Sequence, residues 1–173
     1  LDMDRWLAKR DQPSTPIKLM AGLRDLIAAI PPASVPMKID INADQIALGG
    51  RALQNAAASM RGDSKSWALD KFEFQSLGNT RFAASGLVQP AGPDANFAGP
   101  VSFSTDTAKA IANWLQGEES RFSGPETPLR VTGNATMLKD RADLDARKFS
   151  VAAAEFEGRV SRSDQGVDAA LKS

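Results

Sequence analysis

The chain has 173 residues, the length of one domain with a sizeable core. It carries 21 basic against 21 acidic residues, so no net field draws it to nucleic acid or anionic lipid. It contains no Cys, His or Tyr, which excludes disulfides, Cys/His zinc sites and Ser-His or Cys-His nucleophile pairs, and no metal or cofactor is expected.

No run of 18 apolar residues is present, and the first residues carry no basic-then-apolar signal pattern. The chain starts without Met, inside what reads as structure. It is therefore expected to be a segment of a longer protein, with any membrane anchor or export signal outside it. Residues 1–10 read as the end of a strand running into a short helix, with Asp2 or Asp4 as cap and Lys9-Arg10 suited to its C-terminus. Residues 12–16, with Pro13 and Pro16, form a loop. A second helical run over 17–30 places Met20, Leu23, Ile27 and Ile30 on one stripe that packs on a sheet, and Pro31-Pro32 end it.

Residues 37–104 read as one strand after another: 37–44, 53–60, 67–74, 81–88 and 97–104. In the first, Ile39, Ile41 and Ala43 point one way and Lys38, Asp40, Asn42 and Asp44 the other, the period-2 alternation of a sheet with one apolar and one wet face. The links are short and hold turn residues (Gly49-Gly50, Gly62-Asp63, Gly78-Asn79, Pro90 to Pro93), so neighbouring strands are antiparallel. The alternation slips between Ala43 and Ile46 and again between Leu69 and Phe72, which predicts two β-bulges and a curved sheet.

Residues 105–117 carry the clearest helical pattern. Thr105 or Ser104 is the cap, Asp106 sits in the first turn, Ala108, Ile111, Ala112 and Leu115 form the stripe, and Gly117 stops it. After a polar loop over 118–128, strands resume at 129–137, 142–146, 149–153, 156–161 and 167–171, with turns at Lys139-Asp140 and 163–166. There is an internal echo. Phe97-Ala-Gly-Pro-Val-Ser-Phe-Ser104 resembles Phe156-Glu-Gly-Arg-Val-Ser-Arg-Ser163, and Lys71-Phe72 recurs as Lys148-Phe149. Such an echo predicts one hairpin-like unit used twice along an extending sheet. The fold expected is α+β, mainly antiparallel β: a curved, bulged meander sheet with two or three short helices packed on it, in one domain over 1–173.

Several of these stretches resemble the AsmA family. They are Asp2-Met-Asp-Arg-Trp-Leu7, the strand from Lys38 to Gly50, Trp67-Ala-Leu-Asp-Lys-Phe72, Thr80-Arg-Phe-Ala-Ala-Ser-Gly86, the Phe97 to Ser104 strand with its following helix, and the closing Phe-x-Gly-x-Val-Ser. The resemblance runs over roughly 1–163 and rests on strand and turn residues. It implies a periplasmic segment of a Gram-negative envelope protein, tethered to the inner membrane by a helix not present here. It also implies a role in outer-membrane biogenesis, in which phospholipid tails pass along a β-sheet groove. The family has no catalytic residues to place on this chain.

Candidate lipid-facing residues are Ile39, Ile41, Leu53, Met60, Phe72, Phe74, Phe82, Phe97, Phe103, Phe149 and Phe156. The same residues also read as ordinary core under the helices, in a structural or protein-interaction module whose sheet edges pair with neighbouring segments of the parent protein. Carboxylates two apart on one strand face, Asp143/Asp145 and Glu155/Glu157, are the nearest thing to hydrolytic chemistry; they read as a solvated strand face, and an enzyme is not expected. Gly49-Gly50 is a turn and not a phosphate loop, since no helix follows it.

Overall fold

The computed structural model describes residues 35–48, 51–63, 66–89, 96–116, 125–138, 141–163 and 166–173. The expected helices over 1–10 and 17–30 and the turns at Gly49-Gly50, Pro90 to Pro93 and Lys139-Asp140 lie outside these residues.

Nine strands form one antiparallel sheet in which spatial order equals chain order. They are β1 (Met37–Leu48), β2 (Arg51–Gly62), β3 (Trp67–Ser76), β4 (Thr80–Gln89), β5 (Asn96–Thr105), β6 (Leu129–Met137), β7 (Arg141–Val151), β8 (Ala154–Ser163) and β9 (Gly166–Lys172). The described residues hold one helix, α1 (Ala108–Gln116), in the connection between β5 and β6. The meander follows from the links: seven are short and each of these brings the chain back beside the strand it has just left, while the link from β5 to β6 is the long one that holds α1. The sequence reading divided β7 into strands at 142–146 and 149–153; it is one strand. A register shift falls between Ala146 and Phe149, so Arg147-Lys148 break the alternation without ending the pairing.

The slip predicted between Leu69 and Phe72 is present as a register shift of β3 against β4. The slip near Asp44 takes another form. β1 and β2 keep one register on both sides of Asp44, pairing Ala43 with Ala56 and Gln45 with Gln54. The shift lies instead between β2 and β3, at Gln54/Ala57, where Asn55 has a φ of 50°. Asn is among the few residues that tolerate that left-handed backbone.

The internal echo has a structural counterpart, though the matching strands differ from those read in the sequence. In β3, Asp70-Lys71 bulge between the Leu69–Gly86 and Phe72–Ala84 pairs. In β7, Arg147-Lys148 bulge between the Ala146–Gly158 and Phe149–Phe156 pairs. The glycines opposite share one backbone shape, φ 150° at Gly86 and 147° at Gly158, which side chains rarely adopt. By its place opposite a bulge, the counterpart of Gly158 in the repeat is thus Gly86 in β4, and not Gly99 in β5 as the motif suggested. β5 has its own irregularity. Pro100 has no N–H to donate from a central strand, and the β4–β5 ladder omits Ser85–Gly86 opposite Gly99-Pro100 while pairing on both sides.

The helix cap also differs from expectation. Thr107 is the residue before α1, and its carbonyl accepts from Ile111 N (3.0 Å). Asp106 lies ahead of the first turn, accepts from Asn79 Nδ2 (2.6 Å), and its N–H donates to Gly78 O (2.9 Å). Thr105, the expected cap, accepts from the Thr107 N–H (3.1 Å) but is buried, and its hydroxyl lies 2.8 Å from that of buried Thr80, which donates to Leu77 O (2.7 Å). The β3–β4 hairpin loop is thereby bound to the base of α1. Arg51 donates to Ala110 O (3.1 Å) from the other side, and Ile111 is buried at 4% exposure. A second buried group, Trp67, Val88 and Phe97, is packed by Ile39, Met60, Leu69, Val101 and Met137.

Candidate apolar binding face

The ladder pairings place all eleven candidate residues on one face, because residues directly opposite in an antiparallel ladder project to the same side. One row runs Phe74–Phe82–Phe103–Val131–Phe149–Phe156 across six strands, each pair in direct register. A second spans all nine: Ile41–Ala58–Phe72–Ala84–Val101–Gly133–Ala146–Gly158–Leu171. The bulges make this possible. Without the extra residue in β3, Phe72 and Phe74 would turn to the wet side while Trp67 and Leu69 stayed on the apolar one.

Phe74 and Phe82 stack with centroids 5.3 Å apart, and Phe72 meets both edge-on at 6.0 and 5.8 Å. Phe149 and Phe156 lie 6.5 Å apart at a tilt. Aromatic pairs of this geometry contribute about 0.5–1.5 kcal/mol beyond their area. These rings, with Phe103, Ile39 and Met60, are half-buried, and Ile41 is 55% exposed. Leu53 and Phe97 differ: at 4% and 8% exposure they belong to the packed core and present no open surface. The sequence reading omitted Trp67, Val88, Val101 and Val131 from this face. Alternation marks Phe82, Ala84, Gly86 and Val88 as one side of β4, but the small residues between the large ones dilute the signal.

The opposite face is wet and ion-paired. Lys38 meets Asp40 (3.0 Å), Arg61 meets Asp70 (2.6 Å), Lys71 meets Glu73 (2.6 Å) and Lys148 meets Glu155 (2.6 Å). The carboxylates weighed as a catalytic pair are engaged here too. Asp143 accepts from the Ser161 hydroxyl (2.6 Å) and from Arg141 (2.7 Å), and Asp145 faces Arg159 at 3.8 Å. No group of three or more potential metal ligands exists among the described residues.

These contacts give the sheet a defined acid response. The Ser161 hydrogen bond, then that of Arg141, hold the Asp143 carboxyl below its ordinary 3.8; Ser59 and Lys38 do so for Asp40, and Arg61 for Asp70. A carboxylate whose folded pKa is depressed adds stability above its unfolded value, and that stability is lost as pH falls through the folded one. The urea midpoint is therefore expected to stay level from neutrality to about pH 5 and to fall below about pH 4. The Asp143→Asn variant should show a shallower acid fall; an unchanged fall would mean that Asp143 has the same pKa folded and unfolded.

No family model matches this sequence, and neither a curated protein nor a solved structure does.

Proposed function

We propose that this chain is a non-enzymatic segment of an AsmA-like envelope protein, periplasmic and tethered to the inner membrane through a segment not present here. In this reading it acts in outer-membrane biogenesis by holding or guiding phospholipid acyl chains along the apolar face of its sheet. The observation that carries the reading is the unbroken apolar row from Ile41 to Leu171, whose ends are 55% and 39% exposed. At about 4.8 Å per strand, eight intervals make it ~38 Å long, more than the ~30 Å hydrocarbon core of a whole bilayer. Each methylene laid on it gains about 0.8 kcal/mol, so a chain is held without any specific polar contact. A curved sheet suits this role, and the four strand pairs with register shifts support curvature, since bulges bend and twist a strand.

A second reading rests on the burial of Trp67, Val88 and Phe97, each at 8% exposure or less: the face is then core, in a structural or protein-interaction module of the envelope with no ligand of its own. The two readings separate in native mass spectrometry after incubation with phospholipid vesicles and gel filtration. The lipid reading expects a retained phospholipid mass on the wild-type chain, lost in Phe74→Asp and in Ile41→Asp, with circular dichroism unchanged. Ile41 is exposed, so its substitution leaves packing intact even if the Phe74 variant does not fold. A bare protein mass for the wild type would select the module.

A further inference from the structure

We infer that the wet face carries an oxyanion site, independent of the apolar face, in which Arg81 and Arg130 take a phosphate group. The site is a trough of about 480 Å³ whose polar lining is Arg81, Ser102, Ser104, Arg130 and Thr132, with Gln75 and Glu73 at one side; Phe74, Phe82 and Phe103 of the aromatic row also border it. Its composition follows from register. One row across the wet face reads Gln75–Arg81–Ser104–Arg130–Ser150–Glu155, and the next reads Glu73–Ala83–Ser102–Thr132–Lys148. The residues directly opposite the two arginines are therefore an amide and hydroxyls, and the nearest carboxylate by register is Glu73, diagonal to Arg81.

That arrangement departs from the rest of the face, where Lys38, Arg61, Lys71, Arg141, Lys148 and Arg159 each have an acidic neighbour. Among the described residues neither Arg81 nor Arg130 has an ion-pair partner. The one carboxylate in the trough, Glu73, is held by Lys71 Nζ at 2.6 Å. The hydroxyls of Ser102, Ser104 and Thr132 likewise make no hydrogen bond among the described residues, so the trough is rich in donors that lack an acceptor. Arg81 and Arg130 flank Ser104 on adjoining strands, about 10 Å apart at their Cα atoms. Their planar guanidinium forks suit the paired oxygens of a phosphate, and each hydroxyl between them adds one donor. The phosphate comes either from a soluble phosphate ester or from a lipid headgroup; both present the same oxygens.

The test is a titration of the full chain with inorganic phosphate at constant ionic strength, following arginine Nε–Hε resonances. Saturable shifts are expected in the wild type and in Arg162→Gln, a charge-matched change away from the trough. Binding at least tenfold weaker is expected in Arg81→Gln or Arg130→Gln, and none in the double variant. Sedimentation with phosphatidylglycerol vesicles then identifies the source. Retention lost in the double variant points to a headgroup, and phosphate binding without retention points to a soluble ester. The inference is overturned if no saturable shift and no variant-sensitive retention occur, or if Arg162→Gln loses as much as the double variant. Ile41→Asp, on the opposite face, should leave the phosphate titration unchanged, so failure of the acyl-chain reading and failure of this one are distinguishable.

Discussion

Replacing Trp67 with Ala is expected to lower the unfolding free energy by about 3–5 kcal/mol, the range for removing a buried aromatic side chain. Trp67 is 3% exposed, and its ring lies against the backbone of its ladder partner: a Cβ built on Gly62 would stand 2.7 Å from the ring atoms Cδ2, Cε3 and Cζ3. Gly62 is thus the floor on which the indole rests, and Val88, opposite Trp67 in β4, and Phe97, opposite Val88 in β5, extend the contact. Truncation leaves a void that a paired sheet cannot close, because the ladders on both sides fix the strand spacing. Trp67→Phe is the informative comparison. The indole N–H is buried with no hydrogen-bond partner among the described residues. Phenylalanine removes that unsatisfied donor, which costs about 1–3 kcal/mol when buried, and this offsets much of its lost area. Urea midpoints should therefore order wild type and Trp67→Phe close together with Trp67→Ala far below. A Phe variant as damaged as the Ala variant would mean that the indole nitrogen does make a bond that matters.

The local part of this fold was legible in the sequence. Alternation in Lys38 to Ala43 needs only neighbouring residues, and the Gly78-Asn79 turn is written in two residues whose φ values are 69° and 53°. The bulge at Asp70-Lys71 was readable because apolar residues flank it closely on both sides. The same device at Arg147-Lys148 was misread as a gap between two strands. There Ala146 is a weak apolar marker, and two consecutive cations resemble a turn. The cap was legible only in part: the Thr105 hydroxyl does accept a backbone N–H at the helix entry, that of Thr107 (3.1 Å), but the first intrahelical bond goes to the Thr107 carbonyl, and the tie of Thr105 to Thr80 across the hairpin is tertiary.

The candidate face divides along the same line. That Phe72, Phe74 and Phe82 share a side follows from strand period, once the bulge is allowed. That Phe103, Val131, Phe149 and Phe156 continue the same row depends on register between strands far apart in the chain, which no local pattern encodes. Arg81 and Arg130 carried no signal at all. Each looks like an ordinary solvent-facing arginine, and only the pairing of both with Ser104 shows that neither meets a carboxylate.

The close approach of β4 and β5 at Gly86 and Gly99 leaves no room for a side chain. A Cβ on Gly99 would run into the Ser85 carbonyl oxygen and stand 2.6 Å from Gly86 Cα. Nothing there can give way, since both obstacles are backbone in a central strand and the Ala84–Val101 and Leu87–Ala98 pairs hold the ladder on either side. Gly99→Ala is expected to cost about 3–4 kcal/mol, at the upper end for a single substitution. Gly166→Ala is the control for backbone strain alone. Its φ of 143° is as unfavourable for a side chain as that of Gly86, but a Cβ there meets nothing within 4 Å. At the exposed start of β9 that strain should cost about 1 kcal/mol. If denaturation places Gly99→Ala no lower than Gly166→Ala, the close approach is relaxed in solution, because Gly99 itself has no left-handed φ to strain. If Gly99→Ala falls well below, the two central strands are in contact as described. The apolar row then runs through Ala84 and Val101 beside that contact, so the same variant should also lose any acyl chain held along the face.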